Sequence, residues 1–203
     1  TRHFLLVTIA SVLVNRLDVV LVSSLSNVQV AGVYAAGARL AQVALMVALA
    51  VNIVLSPRIA RAYRQGDGRE VRRLFRSGLA FTVPIAVIEI ALATVLGSDI
   101  VRIFGPSYAT AAAPFAWVTV AYALWALAAP GYALLAMTGS ERVVAALSWL
   151  VLIANVVTII LLVPSHGAAG AGMAMIAGYG LALLALFGAL SRRKGMIIFG
   201  KIG

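Results

Sequence analysis

Four ionisable side chains lie deep inside long apolar stretches of the sequence: Arg16, Asp18, Arg39 and Glu89. Placing a charge at the centre of a bilayer costs at least about 2.5–3.5 kcal/mol, so such residues normally face a bundle interior or a water-filled cavity. They are therefore the first candidates for function. The alternative is that the two acids form structural ion pairs with the two arginines, because intramembrane charges also pair in this way.

Polar residues recur at helical spacing around these charges. Asp18 closes a stripe at positions i, i+3, i+7 and i+10 of the first apolar stretch. Gln42 shares a helix face with Arg39, and Thr82 shares one with Glu89. Polar faces on several helices predict a central hydrated cavity rather than a dry bundle. The predicted lining residues are Ser11, Asn15, Gln42, Thr82, Asn155 and Thr158.

Signatures of catalysis are missing from the chain. There is no cysteine, and the two histidines, His3 and His166, are far apart in the sequence. No motif of a nucleophile with its base or of a zinc hydrolase occurs. The glycine-rich run 167–172 follows no strand and lies in an apolar stretch, so we do not interpret it as a nucleotide-binding loop. We predict a protein that is not an enzyme and that has no catalytic residue, metal or cofactor.

The elements that position the charged residues are predicted to be membrane-spanning helices. Hydrophobic residues make up 63% of the 203 residues and charged residues only 11%, with a mean hydropathy of +1.06. A soluble domain has about 25% charged residues. Six segments are long and apolar enough to span, since a spanning helix needs about 20 apolar residues. They predict an all-α transmembrane bundle, with spans at 4–24, 31–55, 78–98, 112–137, 143–163 and 168–190.

The distribution of arginine and lysine predicts the orientation of the bundle. With the N-terminus inside, thirteen of the sixteen basic residues fall on the inner side and only Arg102 falls in an outer loop. This asymmetry indicates that both ends of the chain are cytoplasmic. The net charge of +10 is thereby explained by topology, and we predict no nucleic-acid partner. The chain begins with Thr1 rather than Met, and we expect it to be part of a longer protein.

The segment 57–77 is predicted to be a cytoplasmic basic amphipathic linker. Asp67 and Glu70 have the spacing of a capping box. Arginines then recur at i, i+3, i+4 and i+7, which is typical of a short helix on the membrane surface. The segment either docks on anionic lipid head groups or only sets the topology, and the charge asymmetry alone is sufficient for the second interpretation.

The order of several short motifs resembles a known transporter family. The run Ala31-Gly32-Val33-Tyr34-Ala35-Ala36-Gly37-Ala38-Arg39-Leu40 follows the span that contains Asp18 and precedes Leu55-Ser56-Pro57-Arg58 and the basic segment. Further similarity lies in Phe104-Gly105-Pro106-Ser107-Tyr108 and Thr138-Gly139. Together these motifs resemble the bacterial polysaccharide and lipid-linked oligosaccharide flippases of the multidrug/oligosaccharidyl-lipid/polysaccharide exporter (MOP) superfamily.

The resemblance implies a specific role for this bundle. It implies one lobe of a two-bundle transporter, the C-terminal half, whose N-terminal bundle is missing from this chain. The expected activity is alternating-access flipping of an undecaprenyl-diphosphate-linked glycan across the bacterial inner membrane, with that glycan and the membrane lipids as partners. Arg39 matches the arginine that recurs in this helix of the family.

Residue chemistry is consistent with this expectation. An arginine fork suits phosphate oxygens, so we predict that Arg39 and Arg16 bind the diphosphate. Asp18 or Glu89 is a candidate for coupling transport to an ion. Two alternatives are open: a cation-coupled drug or metabolite antiporter of the same superfamily, and a non-transporting scaffold subunit of a glycan-synthesis complex.

Overall fold

The computed structural model describes the backbone of residues 2–103 and 105–192, and their side chains apart from those at positions 2–4, 11, 14–16, 43–44 and 106–108. Helices make up nearly all of this part of the chain, which contains no strand. The predicted all-α class is therefore confirmed for the described residues. In chain order the helices are α1 (Arg2–Leu25), α2 (Val28–Arg64), α3 (Gly68–Val95), α4 (Gly97–Arg102), a 3₁₀ helix (Pro106–Ala111), α5 (Ala112–Met137) and α6 (Glu141–Arg192).

Four helical segments in the described residues are long and apolar enough to cross a membrane. They are Val28–Arg64, Gly68–Val95, Ala109–Met137 and Glu141–Arg192. The 52 residues of α6 are enough for two spans, because at 1.5 Å per residue they extend over about 78 Å. The apolar windows are partly exposed along their length, as expected for helices whose solvent is lipid.

Helix α6 is a hairpin of two arms rather than one rod. Its backbone leaves helical geometry at Gly167, where φ is 56° and ψ is −136°. Beyond this point the chain runs back along itself: Thr158 contacts Ala174, and Gly170 packs so closely on Leu162 that an added Cβ would lie 2.5 Å from the carbonyl oxygen. The predicted spans 143–163 and 168–190 occupy the two arms.

The basic segment 57–77, predicted to be an amphipathic linker, is divided between two long helices. Residues 57–64 continue α2, and residues 68–77 begin α3. Gly66 supplies the reversal with a φ of 70°, and the Asp67 carboxylate accepts a hydrogen bond of 2.9 Å from the Glu70 amide at the start of α3. Helix α2 extends about 55 Å at 1.5 Å per residue, so its arginine-rich end projects beyond a hydrocarbon layer of about 30 Å.

Helix α5 is the centre of the bundle. It contacts α2, α3 and α6, and most of its residues are buried. Close approach depends on small residues at the crossings: a Cβ added at Gly37 of α2 would lie 2.9 Å from the Phe115 backbone nitrogen. Close helix packing through small residues is the usual solution in lipid, where no hydrophobic force drives helices together. Three apolar clusters result among the described residues, one around Tyr34, one around Leu134 and a small one around Ala129.

Candidate functional site

Asp18 and Tyr34 form a buried polar contact between α1 and α2. The Tyr34 hydroxyl donates a hydrogen bond of 2.8 Å to Asp18 Oδ2 and also lies 3.1 Å from Met175 Sδ of α6. Tyr34 is fully buried and Asp18 is 7% exposed. Because a buried carboxylate needs hydrogen-bond donors, Tyr34 holds Asp18 at a junction of three helices.

Arg39 lies on the outside of the lobe. It is an exposed residue of α2, and its Nη1 donates across 3.5 Å to Gln42 Oε1, one turn further along the helix. Gln42 also interacts with the side chain of Tyr122, whose ring lies 6.4 Å from that of Tyr179. The face shared by Arg39 and Gln42 is therefore confirmed, and it connects the exposed cation to a buried tyrosine pair.

Glu89 and Thr82 have different environments on α3. Glu89 is half-buried, and its Oε2 is enclosed without a hydrogen-bond partner in the described part of the chain. Thr82 is fully buried and donates to the carbonyl oxygen of Gly78 on its own helix, at 3.1 Å. Thr82 lines neither of the two cavities described below, because its hydroxyl is engaged inside the helix and its side chain packs within the bundle.

Asn155 and Thr158 hold the two arms of α6 together instead of lining those cavities. Thr158 Oγ1 donates to Ala154 O at 2.6 Å and lies 3.3 Å from Ala174 O on the other arm. Asn155 is buried and packs directly on Gly178. Sequence periodicity placed both residues on one polar face correctly, but the partner of that face is another helix arm.

Three predicted site residues, Arg16, Ser11 and Asn15, lie outside the described side chains. For Arg39, the described partner is the neutral Gln42, so its side chain is not in an ion pair with a described acid. The one ion pair between described side chains is Arg73 with Glu70, at 2.8 Å near the arginine-rich end. No cluster of three or more His, Cys, Asp or Glu side chains occurs among the described residues.

A cavity of about 270 Å³ lies between α1, α2, α5 and α6, in the half of the lobe that contains the arginine-rich ends of α2 and α3. We call it the inner cavity. Its lining includes Asn52, Ser56, Trp125, Tyr132, Ser148 and Tyr179. Asn52, inside the predicted span 31–55, and Ser56, directly after it, were not among the predicted site residues, although an amide and a hydroxyl four residues apart on one helix were a usable signal.

A second cavity of about 330 Å³ lies at the opposite end of the bundle, beside the Gly167 turn. Gln29, Thr110 and His166 contribute its polar groups. His166 Nδ1 lies 2.7 Å from the hydroxyl of the neighbouring Ser165. Of the predicted lining residues, none with a described side chain lines either of these two cavities.

Comparison with known proteins places this geometry in context. The sequence matches the MatE family over residues 4–164. The fold matches a solved structure from Pyrococcus furiosus with a TM-score of 0.73 and 17% identity, over 97% of this chain and 44% of that one. That structure is described as "Reverse polarity of binding pocket suggests different function of a MOP superfamily transporter". The chain therefore spans less than half the length of the structure it matches. No curated protein matches the sequence significantly.

Proposed function

Because the chain belongs to the MatE family of membrane transporters, we propose that it is one lobe, the C-terminal one, of a flippase for an anionic lipid-linked glycan. The substrate is an undecaprenyl-diphosphate-linked oligosaccharide or polysaccharide precursor. It crosses the bacterial inner membrane by alternating access between this lobe and a second bundle. Both ends of this segment lie in the cytoplasm. A chain that covers 44% of a related transporter supports the single-lobe assignment.

The position of Arg39 carries the proposal. It is exposed on α2 about 16 Å from the start of the helix, at 1.5 Å per residue, and therefore well inside a span. Its described partner is an uncharged amide at 3.5 Å, which leaves most of its donors available. An arginine at this depth needs an anion or water, and a diphosphate matches its planar fork.

Asp18 and Glu89 supply candidates for energy coupling. Asp18 sits at the junction of α1, α2 and α6, where a change in its protonation or ion binding would alter the contact with Tyr34. Glu89 has an enclosed oxygen without a described hydrogen-bond partner. These acids also favour the second candidate function, a cation-coupled antiporter of drugs or metabolites.

The charge of the transported molecule separates the two functions. The related transporter from Pyrococcus furiosus is described as having a binding pocket of reverse polarity, which suggests a different function for it. By analogy, pocket polarity is a reasonable guide to substrate charge in this superfamily. An exposed arginine on α2 supports an anionic substrate, whereas organic cations would be favoured by acidic groups.

The test is transport by the complete protein in liposomes. A fluorescent undecaprenyl-diphosphate-linked glycan is supplied, and its flipping is measured by accessibility to a membrane-impermeant quencher. We expect Arg39→Ala to lower the initial rate by about 10- to 100-fold, the loss expected when a charge-assisted hydrogen bond of about 1.5–3 kcal/mol is removed. Arg39→Lys should retain an intermediate rate, because the charge remains but the fork is lost.

The matched control is Arg61→Ala, an exposed arginine of the same helix beyond the hydrocarbon layer. It should leave the rate unchanged. Equal rates for wild type and Arg39→Ala would refute the anion site. Uptake of organic cations without movement of the glycan lipid would establish the antiporter instead, and a protein that moves neither would fit the scaffold alternative.

A further inference from the structure

The inner cavity has the composition of a ligand site that is separate from Arg39. We propose that it binds one uncharged, hydroxyl-bearing group of the size of a single sugar residue. Identifying this group as part of the transported glycan rests on the proposed function. The preference of the cavity for a neutral polyol depends only on its own walls.

The uncharged character of the described cavity wall argues for a neutral occupant. Among the residues whose side chains the structure describes, none that lines the cavity is an Asp, Glu, Lys, Arg or His. A phosphate or an ammonium group placed there would lose its hydration without gaining a counter-charge, which is a large penalty in an apolar surrounding. The occupant must therefore bring polarity without net charge.

Asn52 supplies an acceptor that the lobe itself does not use. Its Nδ2 donates to the carbonyl oxygen of Ala129 on α5 at 3.2 Å, which fixes the orientation of the amide. Its Oδ1 is buried and has no hydrogen-bond partner in the described part of the chain. Burying an acceptor without a partner costs free energy, so a hydrogen bond donated by a ligand hydroxyl would be favourable.

Tyr132 and Ser56 add hydroxyl groups on two other parts of the wall. Tyr132, on α5, is half-buried, and its hydroxyl makes no hydrogen bond to a described residue. Ser56 lies one turn after Asn52 on α2. Hydroxyls can both donate and accept, so these groups suit a ligand that carries several hydroxyls.

The remaining wall and the volume set the size and shape of the ligand. Trp125, Tyr132 and Tyr179 provide aromatic surface, and small ligands are usually held by aromatic walls with a few placed polar groups. The volume of about 270 Å³ falls just below the range of about 300–1,000 Å³ typical for drug-sized ligands. The cavity thus has room for one small cyclic group, and the rest of a longer glycan would extend out of its open side.

The spacing from Arg39 is compatible with one elongated substrate that reaches both places. Asn52 is thirteen residues after Arg39 on α2, which corresponds to about 20 Å along the helix at 1.5 Å per residue. A molecule with an anionic group near Arg39 could therefore place a neutral group in the cavity only if several bonds or sugar units separate the two. This geometry distinguishes a glycan lipid from a compact phosphate.

Binding by the complete protein in nanodiscs of neutral lipid tests the proposal. The probes are methyl glucoside and, as the charged counterpart, glucose 1-phosphate, and saturation-transfer NMR gives their dissociation constants. We expect saturable binding of methyl glucoside. Tyr132→Phe, which removes one oxygen atom, should raise its dissociation constant about two- to tenfold, the effect of one neutral hydrogen bond. Asn52→Leu should raise it to a similar extent.

Tyr63→Phe is the matched control, because it removes the hydroxyl of an exposed tyrosine on the same bundle, and it should leave binding unchanged. Arg39→Ala should also leave methyl glucoside binding unchanged. The proposal is overturned if methyl glucoside does not bind saturably, if neither cavity variant weakens it, or if glucose 1-phosphate depends equally on Tyr132.

The two proposals fail in distinguishable ways. If Arg39→Ala abolishes glycan-lipid flipping but methyl glucoside binding is independent of Tyr132 and Asn52, the cavity proposal is wrong and the flippase proposal stands. If sugar binding depends on the cavity residues while no diphosphate-linked glycan is moved, the flippase proposal is wrong and the cavity proposal stands.

Discussion

The junction around Tyr34 and the inner cavity differ in whether their buried polar atoms have hydrogen-bond partners. At the junction, the Tyr34 hydroxyl is already bound to Asp18 at 2.8 Å, and the residues around it are packed. In the inner cavity, the enclosed Asn52 Oδ1 has no described partner, and the Asn52 residue borders open volume. The first arrangement joins helices, whereas the second leaves hydrogen-bonding capacity for a ligand.

Two asparagines show the same difference at the level of one residue type. Asn52 and Asn155 both have an enclosed Oδ1 without a described hydrogen-bond partner. Asn155 packs on Gly178 of the opposite arm of α6, where even a methyl group would not fit, whereas Asn52 borders the cavity. An unsatisfied amide therefore indicates a ligand site only where space accompanies it.

The packing contrast is tested most strongly by Gly178→Ala. The new Cβ would overlap the Asn155 amide, so the Asn155 side chain or the crossing arms of α6 would have to shift. We expect a loss of about 3 kcal/mol in the free energy of unfolding, because overpacking costs about 1–3 kcal/mol and occasionally more. SDS titration in mixed micelles measures it. Gly180→Ala is the control, since the nearest atom to its Cβ would be Leu124 Cδ1 at 3.9 Å. Equal stability of the two variants would mean that the arms are not closely packed.

Tyr34→Phe tests whether the junction depends on its hydrogen bond. The substitution keeps the ring but removes the hydroxyl that donates to Asp18. We expect the free energy of unfolding to fall by about 1–2 kcal/mol, since a buried acceptor loses a donor. The same SDS titration, with Tyr63→Phe as the exposed counterpart, provides the measurement. A stability equal to that of wild type would show that Asp18 does not need Tyr34.

Asn52→Leu should have the smallest effect on stability. The substitution removes an unpaired buried acceptor, which favours folding. It also removes the hydrogen bond from Asn52 Nδ2 to Ala129 O, which disfavours folding. These contributions oppose each other, so we expect a change within about 1 kcal/mol in the free energy of unfolding. The same variant should weaken sugar binding. A large destabilisation would assign Asn52 to the structure of the lobe and remove the contrast with the junction.

The sequence alone determined the class of the molecule. Long apolar runs that a small soluble fold could not bury led to an all-α membrane bundle, and the order of short motifs led to a transporter family, in agreement with the match to the MatE family. Helical periodicity also placed Arg39 and Gln42 on one face correctly. These features depend on composition and on contacts within one helix, which a single sequence contains.

Only the tertiary structure decided which partner each polar helix face contacts. Asn155 and Thr158 bind the second arm of α6, and Thr82 is engaged by its own helix, although periodicity suggested a cavity for all three. The inner cavity arises where α1, α2, α5 and α6 leave a gap, so its volume belongs to no single helix. Spacing along a helix gives the direction of a side chain, but the packing of neighbouring helices determines whether that direction leads to a partner or to open space.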